Sequence, residues 1–474
     1  MKLLNQNITD QYAHGTKHSL SLTTDAAYPQ SMVQKTALAL VAVGLLLLLA
    51  AAFGAANAQP AAWLATALVC IGAGGMVYAF KQYQHRQAGI KNNGVYQTSL
   101  TARGAAAWLL ALVLTGFYVL LYWFPQLLGL GQNGAANTGL VHLFDPLSFL
   151  LKKQPASQWF VYGTLYTLAI LVMGFKFMLK YRHNRYQLFR TASVMFFQLG
   201  FAFLLPEWLQ RLHLPYNDFK NMWPLNYYFF FDWHLNELLQ SGNIGRFMLF
   251  WGILMVVLVS PGLTWFFGKR WYCSWVCGCG GLAETAGDPF RQLSSKSLRA
   301  WQAERLLVYG VLVFALLMTA LVLYTWFTGK AQVWFLNSYR LREWYGFLIG
   351  AAFSGVIGVG FYPLLGSRVW CRFGCPVAAI LGIQQRFFSR FRITANGGQC
   401  ISCGNCSAYC EMGIDVRWYA QRGQNIVRAS CVGCGICAAV CPRGVLKLEN
   451  APLKNREALH IRQDGVWLPE ENLF

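Results

Sequence analysis

Cysteine is the residue type with the clearest chemical pattern in this sequence. The chain of 474 residues has 14 cysteines, and 13 of them lie between Cys273 and Cys441. Two runs share one spacing, in which gaps of two, two and three residues separate four cysteines: Cys400, Cys403, Cys406 and Cys410, then Cys431, Cys434, Cys437 and Cys441. Thiolates at this spacing are typical ligands of iron–sulfur clusters. The pattern therefore predicts metal binding and not disulfide bonding.

The two runs resemble those of bacterial ferredoxins with two [4Fe–4S] clusters, in which the fourth cysteine of each run binds the other cluster. The resemblance implies two ligand sets: Cys400, Cys403, Cys406 and Cys441, and Cys431, Cys434, Cys437 and Cys410. The first run departs from the usual pattern, because Glu411 stands where proline is common. The alternative interpretation is a pair of zinc sites. Zinc modules, however, separate two Cys-x2-Cys pairs by about a dozen residues or more.

A second cysteine pattern occurs twice upstream of these runs. Segments 268–277 and 366–375 share glycine, arginine, aromatic and cysteine residues in register, which indicates an internal repeat. We expect the two copies to form a third four-thiolate site at the membrane surface, with a third [4Fe–4S] cluster on these cysteines: Cys273, Cys277, Cys371 and Cys375. Arg270 and Arg368 are expected to offset the cluster's negative charge. Cys279 is an alternative ligand or a spare thiol, and a redox-active dithiol or a bound soft metal such as copper is the alternative to a cluster.

The composition excludes an ordinary soluble protein. Hydrophobic residues make up 56% of the chain and charged residues 12%, whereas about 25% of the residues in typical globular proteins are charged. A membrane-spanning helix needs roughly 20 apolar residues. Eight stretches meet that need: 36–56, 61–81, 105–125, 158–179, 189–206, 245–267, 306–327 and 345–365. We therefore expect a polytopic α-helical membrane protein of about eight spans, with a C-terminal two-cluster ferredoxin-like α+β domain.

The basic residues predict the orientation of the chain, whose formal net charge is +21. Loop 207–244 is balanced in charge, whereas lysine and arginine outnumber acids in four other segments: 82–104, 180–190, 268–305 and the tail after residue 366. Cytoplasmic loops collect basic residues. We therefore expect a multi-pass protein of the bacterial cytoplasmic membrane with both termini and all the clustered cysteines on the cytoplasmic side. Thiols stay reduced there, in agreement with metal binding.

These boundaries predict six segments along the chain. They are a cytoplasmic tail (1–35), a four-helix membrane region (36–180) and a membrane region with the two Cys-x3-Cys motifs (181–380). An interfacial linker helix (381–395), the ferredoxin domain (396–450) and a C-terminal tail (451–474) follow. The linker prediction rests on Arg386, Phe387, Phe388 and Phe391, which suit a helix lying on an anionic membrane surface.

Motifs for other cofactors are absent from the sequence. No predicted span has a histidine at its middle, so paired ligands for a membrane haem are missing, and there is no Rossmann or Walker motif. We therefore expect no nucleotide, and the apolar composition argues against a nucleic-acid partner. The aromatic residues of loop 207–244 favour an interfacial belt over a quinone pocket. Four residues on that side could move protons or simply be solvated: His142, Asp145, Asp232 and His234.

The chain resembles membrane polyferredoxins of the NapH/NosR type and related oxidase-assembly proteins over about residues 180–450. The shared features are multiple spans, two Cys-x3-Cys motifs at helix ends and a C-terminal two-cluster ferredoxin. The resemblance implies an electron-transfer protein that exchanges electrons with the quinone pool or a redox protein in the lipid bilayer. An alternative is an assembly or maturation factor that reduces a metal such as copper for an oxidase or a periplasmic reductase. A third interpretation is a structural anchor for other redox subunits.

Overall fold

The computed structural model describes residues 30–55, 58–84 and 98–450, and the backbone of two short paired strands, Arg462–Gln463 and Val466–Trp467. The predicted N-terminal tail lies almost wholly outside the described residues. The same is true of most of the basic loop 82–104 and of most of the predicted C-terminal tail.

Seven helices in the described residues are long and apolar enough to cross a membrane. We number them spans 1 to 7 in chain order: Met32–Ala52, Pro60–Tyr83, Ala105–Trp123, Gln158–Lys180, Arg185–Arg211, Gly242–Phe267 and Leu298–Thr328. Span 5 contains a π-helical segment, Phe197–Leu204, and span 6 contains another, Met255–Val259. The predicted membrane class and the first seven predicted stretches are confirmed.

The eighth predicted stretch, 345–365, differs from the other seven. It begins in an α-helix, Ser338–Tyr345, and continues as a π-helix, Gly346–Ile357, which together we call the return helix. The first half of the return helix carries Arg340, Arg342 and Glu343, so that its apolar part is shorter than a full span. A β-hairpin with two residues in each strand, Gln332–Val333 and Leu336–Asn337, joins the return helix to span 7.

The return helix nevertheless runs back along span 7. Span 7 starts at Leu298, and Arg372, which follows the return helix, donates to Glu304 at a distance of 2.7 Å. The chain therefore comes back to the end of the bundle from which span 7 departs. The sequence predicted a full span here, whereas the charged first turns of the return helix leave it an apolar part shorter than a span.

The loops predicted to be cytoplasmic meet at one end of the helix bundle. Arg103 before span 3 donates to the Leu364 carbonyl at 2.7 Å, and Lys180 at the end of span 4 forms an ion pair with Asp288. Gln34 in span 1 donates to Gln82 at the end of span 2 at 2.8 Å. We call this the cysteine end, because the segments after span 6 and after the return helix carry their cysteines there.

Short helices cap both ends of the bundle. Within the described residues, six lie at the cysteine end: Arg270–Cys273, Gly278–Thr285, Asp288–Leu293, Tyr362–Leu365, Val369–Phe373 and Pro376–Phe387. Four more of the helices that the structure describes lie at the opposite end: Pro125–Leu128, Gly139–Leu143, Asp145–Lys152 and Asp232–Gln240. Proline at the first or second position of several of these helices presets the backbone for a helix start.

The C-terminal module is a small α+β unit. Strand Phe391–Ala395 pairs antiparallel with Leu446–Asn450, with Phe391 opposite Asn450. Four short helical segments lie between the strands: Gly397–Gln399, Asn405–Ala408, Val416–Gln421 and Ile436–Ala439.

The predicted linker helix over 381–395 differs from this arrangement. The observed helix begins at Pro376 and ends at Phe387, and residues 391–395 form a strand of the module. Phe387 and Phe388 are exposed, as expected beside a membrane surface, whereas Phe391 and Ile393 are buried. Burial of these two residues explains why the strand replaces the second half of the helix.

The module packs directly on the helix ends. One hydrophobic core contains Trp271, Tyr272 and Trp370 from the helix ends together with Ile393 and Val432 from the module. Apolar burial is the main stabilising term in folding. The module and the membrane helices therefore share a core, and no free linker separates them.

Candidate functional site

The ferredoxin cysteines form two groups around two cavities. One cavity is lined by the first set: Cys400, Cys403, Cys406 and Cys441. The other is lined by the second set: Cys410, Cys431, Cys434 and Cys437. Gly404 and Gly435 precede the two short helices with φ of 81° and 72°, a left-handed conformation that glycine adopts without strain. The structure thus brings together the cysteines that the ferredoxin resemblance assigns to each cluster.

Burial keeps two of these thiols, Cys406 and Cys431, protonated at neutral pH. Burial raises the pKa of Cys406 to about 12 and that of Cys431 to about 11. Thiols with such pKa values are neutral at pH 7, and a metal centre binds them with release of protons. Across the described ranges, no three Cys, His, Asp or Glu side chains converge closely enough to hold a single metal ion. Each cavity is lined by four cysteines, and this donor set fits a [4Fe–4S] cluster, whose iron atoms are held by four thiolates.

The four remaining predicted ligands also lie together, at the ends of span 6 and the return helix. All four are buried: Cys273, Cys277, Cys371 and Cys375. Charges on the other three act on the Cys375 thiol, and together with burial they raise its pKa well above the usual range. The structure therefore brings the four cysteines of the repeat into one buried cluster.

Both copies of the repeat have the same local structure. The first cysteine of each copy lies in a single helical turn, Arg270–Cys273 or Val369–Phe373. The second cysteine is the N-cap of the next helix, Cys277 before Gly278–Thr285 and Cys375 before Pro376–Phe387. A helix N-terminus directs backbone N–H groups and a partial positive charge at the cap, which favours a thiolate there.

Cys279 lies beside this group, as the second residue of the helix that Cys277 caps. A hydrogen bond with Cys279 lowers the pKa of Cys277 to about 6 despite burial, and the Lys220 ammonium acts in the same direction. Cys279 has no counterpart in the second copy, where residue 377 is valine. The repeat therefore matches Cys277, and not Cys279, with Cys375.

Arg368 and Arg270 have different positions, although the repeat aligns them. Arg368 donates to the Cys273 carbonyl at 3.2 Å, and the same nitrogen lies 3.7 Å from the Cys371 sulfur. The Arg270 guanidinium instead lies 4.4 Å from the Phe391 ring centroid and donates to Asn450 at 3.0 Å. Only Arg368 thus takes the role beside the membrane-surface cysteines that we expected for both.

A buried network of charges joins this group to the ferredoxin module. Glu411 accepts hydrogen bonds from Arg291 at 2.8 Å and pairs with Arg368 at 3.0 Å. Arg368 also donates to Glu284 at 2.5 Å, and Arg190 completes the network through its own ion pair with Glu284. Burial opposes ionisation of Glu411, but Arg291 and Arg368 outweigh it and hold the pKa of Glu411 below its usual value.

Sequence reasoning missed the role of Glu411, Glu284, Arg190 and Arg291. One signal was available, since Glu411 replaces the proline that commonly follows the fourth cysteine. In this chain the carboxylate at that position pairs with two arginines, and an unpaired buried charge there would be costly. The glutamate at this position thus connects the first ferredoxin run with the helix ends.

The second ferredoxin loop, residues 428–435, is held by five side chains from the membrane region, and we call it the docking loop. Each side chain donates to a backbone carbonyl at 2.6 to 2.8 Å, in the order Lys269 to Ala429, Gln385 to Cys431, Ser274 to Val432, Tyr186 to Gly433 and Gln187 to Cys434. Buried carbonyls need such partners. The contacts fix the loop that carries Cys431 and Cys434 relative to span 5 and both repeat copies.

Loop 207–244 folds into the helix bundle from the opposite end. Trp223 donates to Thr319 in span 7 at 3.1 Å, and Met222 packs in the same core as Tyr272. The buried Lys220 ammonium lies 3.3 Å from Asp218 and acts on the Cys277 thiol. Although Trp208 and Trp233 are exposed as in a belt, this loop also reaches the membrane-surface cysteines, which the sequence did not indicate.

The four residues considered for proton transfer remain near the opposite end. His142 and Asp145 form a pair at 3.0 Å, and Asp232 pairs with Arg342 at 2.6 Å. His234 is buried between Tyr228, Phe229 and Trp233. These contacts give them structural partners and connect none of them to the cysteine groups.

Comparison with known proteins agrees with this geometry. A family model described as a 4Fe-4S dicluster domain matches residues 399–446, and one described as a 4Fe-4S binding domain matches residues 247–297 and again 347–393. The chain carries 4Fe–4S binding domains. The second model matches both copies of the repeat, and the predicted C-terminal dicluster ferredoxin on a multi-pass membrane protein is confirmed.

Three relatives share part of this chain. It is 27% identical over 170 residues to "Putative electron transport protein YccM" of Escherichia coli (strain K12). It is 29% and 30% identical to the "Methylamine utilization ferredoxin-type protein MauN" of Methylobacillus flagellatus and of Paracoccus denitrificans. The matches cover 34% to 36% of this chain and 47% to 59% of the relatives. No solved structure matches.

The chain is thus a multi-pass membrane protein that carries 4Fe–4S binding domains and is similar over about a third of its length to YccM and MauN. The matches name neither NapH nor NosR, so the narrower resemblance found in the sequence stays a prediction.

Proposed function

We propose that this protein relays single electrons through three [4Fe–4S] clusters, between a redox partner on the cytoplasmic side and a quinone or redox protein in the membrane. When bound, such clusters supply one-electron redox chemistry at a potential set by their surroundings. The residues of the chain hold the thiolates, fix the separation of the sites and exclude water from them.

Each cluster in this proposal takes four cysteines from the chain. The three sets are Cys400, Cys403, Cys406 and Cys441; Cys410, Cys431, Cys434 and Cys437; and Cys273, Cys277, Cys371 and Cys375. The observation that carries the proposal is the packing of all three groups into one unit, in which five side chains from the membrane region hold the docking loop. A relay needs such fixed separations, because electron transfer slows steeply with distance.

Shared electrostatic contacts support an order of transfer along the relay. The charge of Cys406 in the first ferredoxin group acts on Cys437 in the second group. Glu411 acts on both Cys434 in the second group and Cys371 in the membrane-surface group. Electrons would therefore pass through the second ferredoxin group between the other two. The first group lies beside the exposed Ile401, where a soluble partner could approach.

The orientation and the membrane partner are part of the same proposal. We place both termini and all three groups on the cytoplasmic side of a bacterial cytoplasmic membrane, because the basic loops gather at the cysteine end. A quinone would exchange electrons with the membrane-surface group, which lies closest to the helix bundle. In the direction from quinol to protein, each quinol would be oxidised to a quinone, giving one electron to each of two clusters held by these cysteines and releasing two protons to water.

The test of cluster number is the iron and acid-labile sulfide content of the purified protein, with EPR spectra after reduction. We expect about twelve iron atoms per chain, and about eight in Cys371→Ser, since each cluster holds four. Cys70→Ser, which changes a cysteine in span 2, is the matched control and should keep about twelve. Zinc in place of iron, or about eight iron atoms in the unaltered protein, would contradict the proposal.

The test of the membrane partner follows cluster reduction after addition of a short-chain quinol under anaerobic conditions. We expect the EPR signal of reduced clusters to appear in the unaltered protein and to be lost in Cys371→Ser. Copper(II) serves as the comparison, because the alternative function is metal reduction. Quinol without effect on the clusters, together with reoxidation of reduced clusters by copper(II), would favour an assembly factor.

A further inference from the structure

A basic cavity lies between the start of span 7, the helix Pro376–Phe387 and the docking loop. Its volume is about 60 Å³, whereas one water needs roughly 10–15 Å³ on the same measure. Its lining contains five cationic side chains and one carboxylate: Lys269, Arg305, Arg372, Arg386, Arg428 and Glu304. The cavity can therefore hold a group of several atoms, and its walls favour an anion.

Most of this positive charge has no carboxylate partner. Arg372 pairs with Glu304 at 2.7 Å, which accounts for the carboxylate. In the part of the chain that the structure describes, no ion pair within 4.0 Å joins a carboxylate to the other four cations. Lys269 is almost fully buried, and its ammonium donates to the carbonyls of Ala378 and Ala429 and acts on the Cys273 and Cys431 thiols. Burying a cation is costly, so an anion in the cavity would add a counterion for Lys269 beside those thiols.

Two further observations point to a ligand with several acceptor oxygens. The Arg305 and Arg428 guanidinium groups lie 5.3 and 4.9 Å from the ring centroid of Trp301, which holds both at the cavity. Arg372 keeps one buried guanidinium nitrogen without a hydrogen-bond partner. Arginine suits phosphate because its planar fork presents paired donors to the phosphate oxygens.

The surroundings favour a phosphate that is carried by a lipid. Trp301 and Arg305 lie in the first turns of span 7, where a membrane helix meets the headgroup region. Leu306 is 77% exposed one residue further on, and Phe387 is exposed at the end of the neighbouring helix. Apolar side chains beside a basic pocket match the acyl chains and headgroup of an anionic phospholipid.

We propose that this cavity binds the phosphate of an anionic phospholipid, which bridges span 7 and the docking loop. Cys371 and Ser430, the residue before Cys431, also line the cavity. The bound headgroup would thus lie between the membrane-surface group and the second ferredoxin group, and would hold the module on the helix ends. This site goes beyond the electron relay, and its occupancy is independent of whether a quinone reacts.

The experiment compares lipid retention by native mass spectrometry after exchange into phosphatidylglycerol or phosphatidylcholine. We expect the unaltered protein to retain phosphatidylglycerol selectively, and Arg305→Gln/Arg428→Gln to bind it on the order of 30-fold more weakly. Arg422→Gln is the matched control, because Arg422 also lies over a tryptophan, Trp418, but does not line the cavity. This control should retain the lipid as the unaltered protein does.

Iron content verifies that the double variant folds, and Arg305→Lys/Arg428→Lys, which keeps both charges, should restore part of the selectivity. Equal retention of the two lipids by the unaltered protein, or selectivity that survives the double glutamine variant, would overturn the proposal. Inorganic phosphate, added without lipid, separates the two sources of the group. Binding of inorganic phosphate together with no lipid selectivity would assign the cavity to a soluble phosphate and overturn the lipid assignment. The proposed electron relay is tested independently, by the iron content and by the reaction with quinol.

Discussion

The guanidinium of Arg368 lies 3.0 Å from the carboxylate of Glu411, and both side chains are buried. Arg368 follows the return helix and also contacts Cys273 and Cys371, while Glu411 follows the last cysteine of the first ferredoxin run. One ion pair therefore connects the membrane-surface cysteines with the ferredoxin module. Its position allows it to affect both the docking of the module and the electrostatic interaction between the membrane-surface cysteines and the ferredoxin cysteines.

Replacement of this carboxylate should weaken docking of the module. Glu411→Gln removes the counterion that Arg291 and Arg368 share, while Arg291 keeps Asp288 and Arg368 keeps Glu284, so we expect a cost of about 3 kcal/mol, the lower end for a broken buried pair. We expect a lower midpoint of thermal unfolding in detergent, together with faster proteolysis of the module. Glu343→Gln alters an exposed glutamate in the return helix and is the control. An unchanged midpoint in Glu411→Gln would mean that the network does not stabilise docking.

The docking loop gives a second prediction, centred on Gln385. Its amide donates to the carbonyls of Arg428 and Cys431 at 2.8 Å each. Gln385→Ala removes both donors, and each buried group left without a partner costs about 1–3 kcal/mol. We expect faster hydrogen exchange of backbone amides at 428–435. The matched control is Gln424→Ala, at an exposed position in the same module. Equal hydrogen exchange at 428–435 in both variants would show that Gln385 does not hold the docking loop.

The cysteine groups themselves could be predicted because ligand spacing is local. Four thiols within eleven residues must lie close together whatever the rest of the chain does, and the aligned copies at Cys273 and Cys371 brought two distant segments to one site. The membrane spans were predictable for a similar reason, since length and apolarity alone specify them.

The parts that could not be predicted depend on long-range packing. Arg270 and Arg368 align in the repeat, yet only Arg368 contacts the membrane-surface cysteines, because the ferredoxin strand occupies the space beside Arg270. The partners of Glu411 come from segments more than 40 residues away in sequence. The inward fold of loop 207–244 depends on contacts with Thr319 and Tyr272, which no local pattern specifies.

The repeat makes a prediction about Cys279. Cys277 and Cys375 occupy the same N-cap position, so we expect Cys277 to be the ligand and Cys279 a neighbouring thiol. Cys279→Ser should therefore keep about twelve iron atoms, and Cys277→Ser should keep about eight. Iron analysis and EPR of both variants, prepared side by side, measure this difference. Loss of a cluster only in Cys279→Ser would assign the ligand to Cys279.

His234 predicts how the inward-folded loop responds to pH. Burial among aromatic rings lowers the pKa of His234 from 6.5 to about 4. Below pH 6.5 the unfolded chain takes up a proton that the folded loop does not, so the contribution of His234 to stability is complete above pH 6.5 and falls as the pH drops toward 4. The neutral imidazole is thus the form that the fold requires.

We expect the thermal midpoint of the unaltered protein to fall between pH 7 and pH 5. Part of that fall should disappear in His234→Gln, which has no group that titrates in this range. His213→Gln is the control, because His213 lies in the same loop and is exposed. A pH dependence that is identical in all three proteins would show that His234 does not limit the stability of the loop.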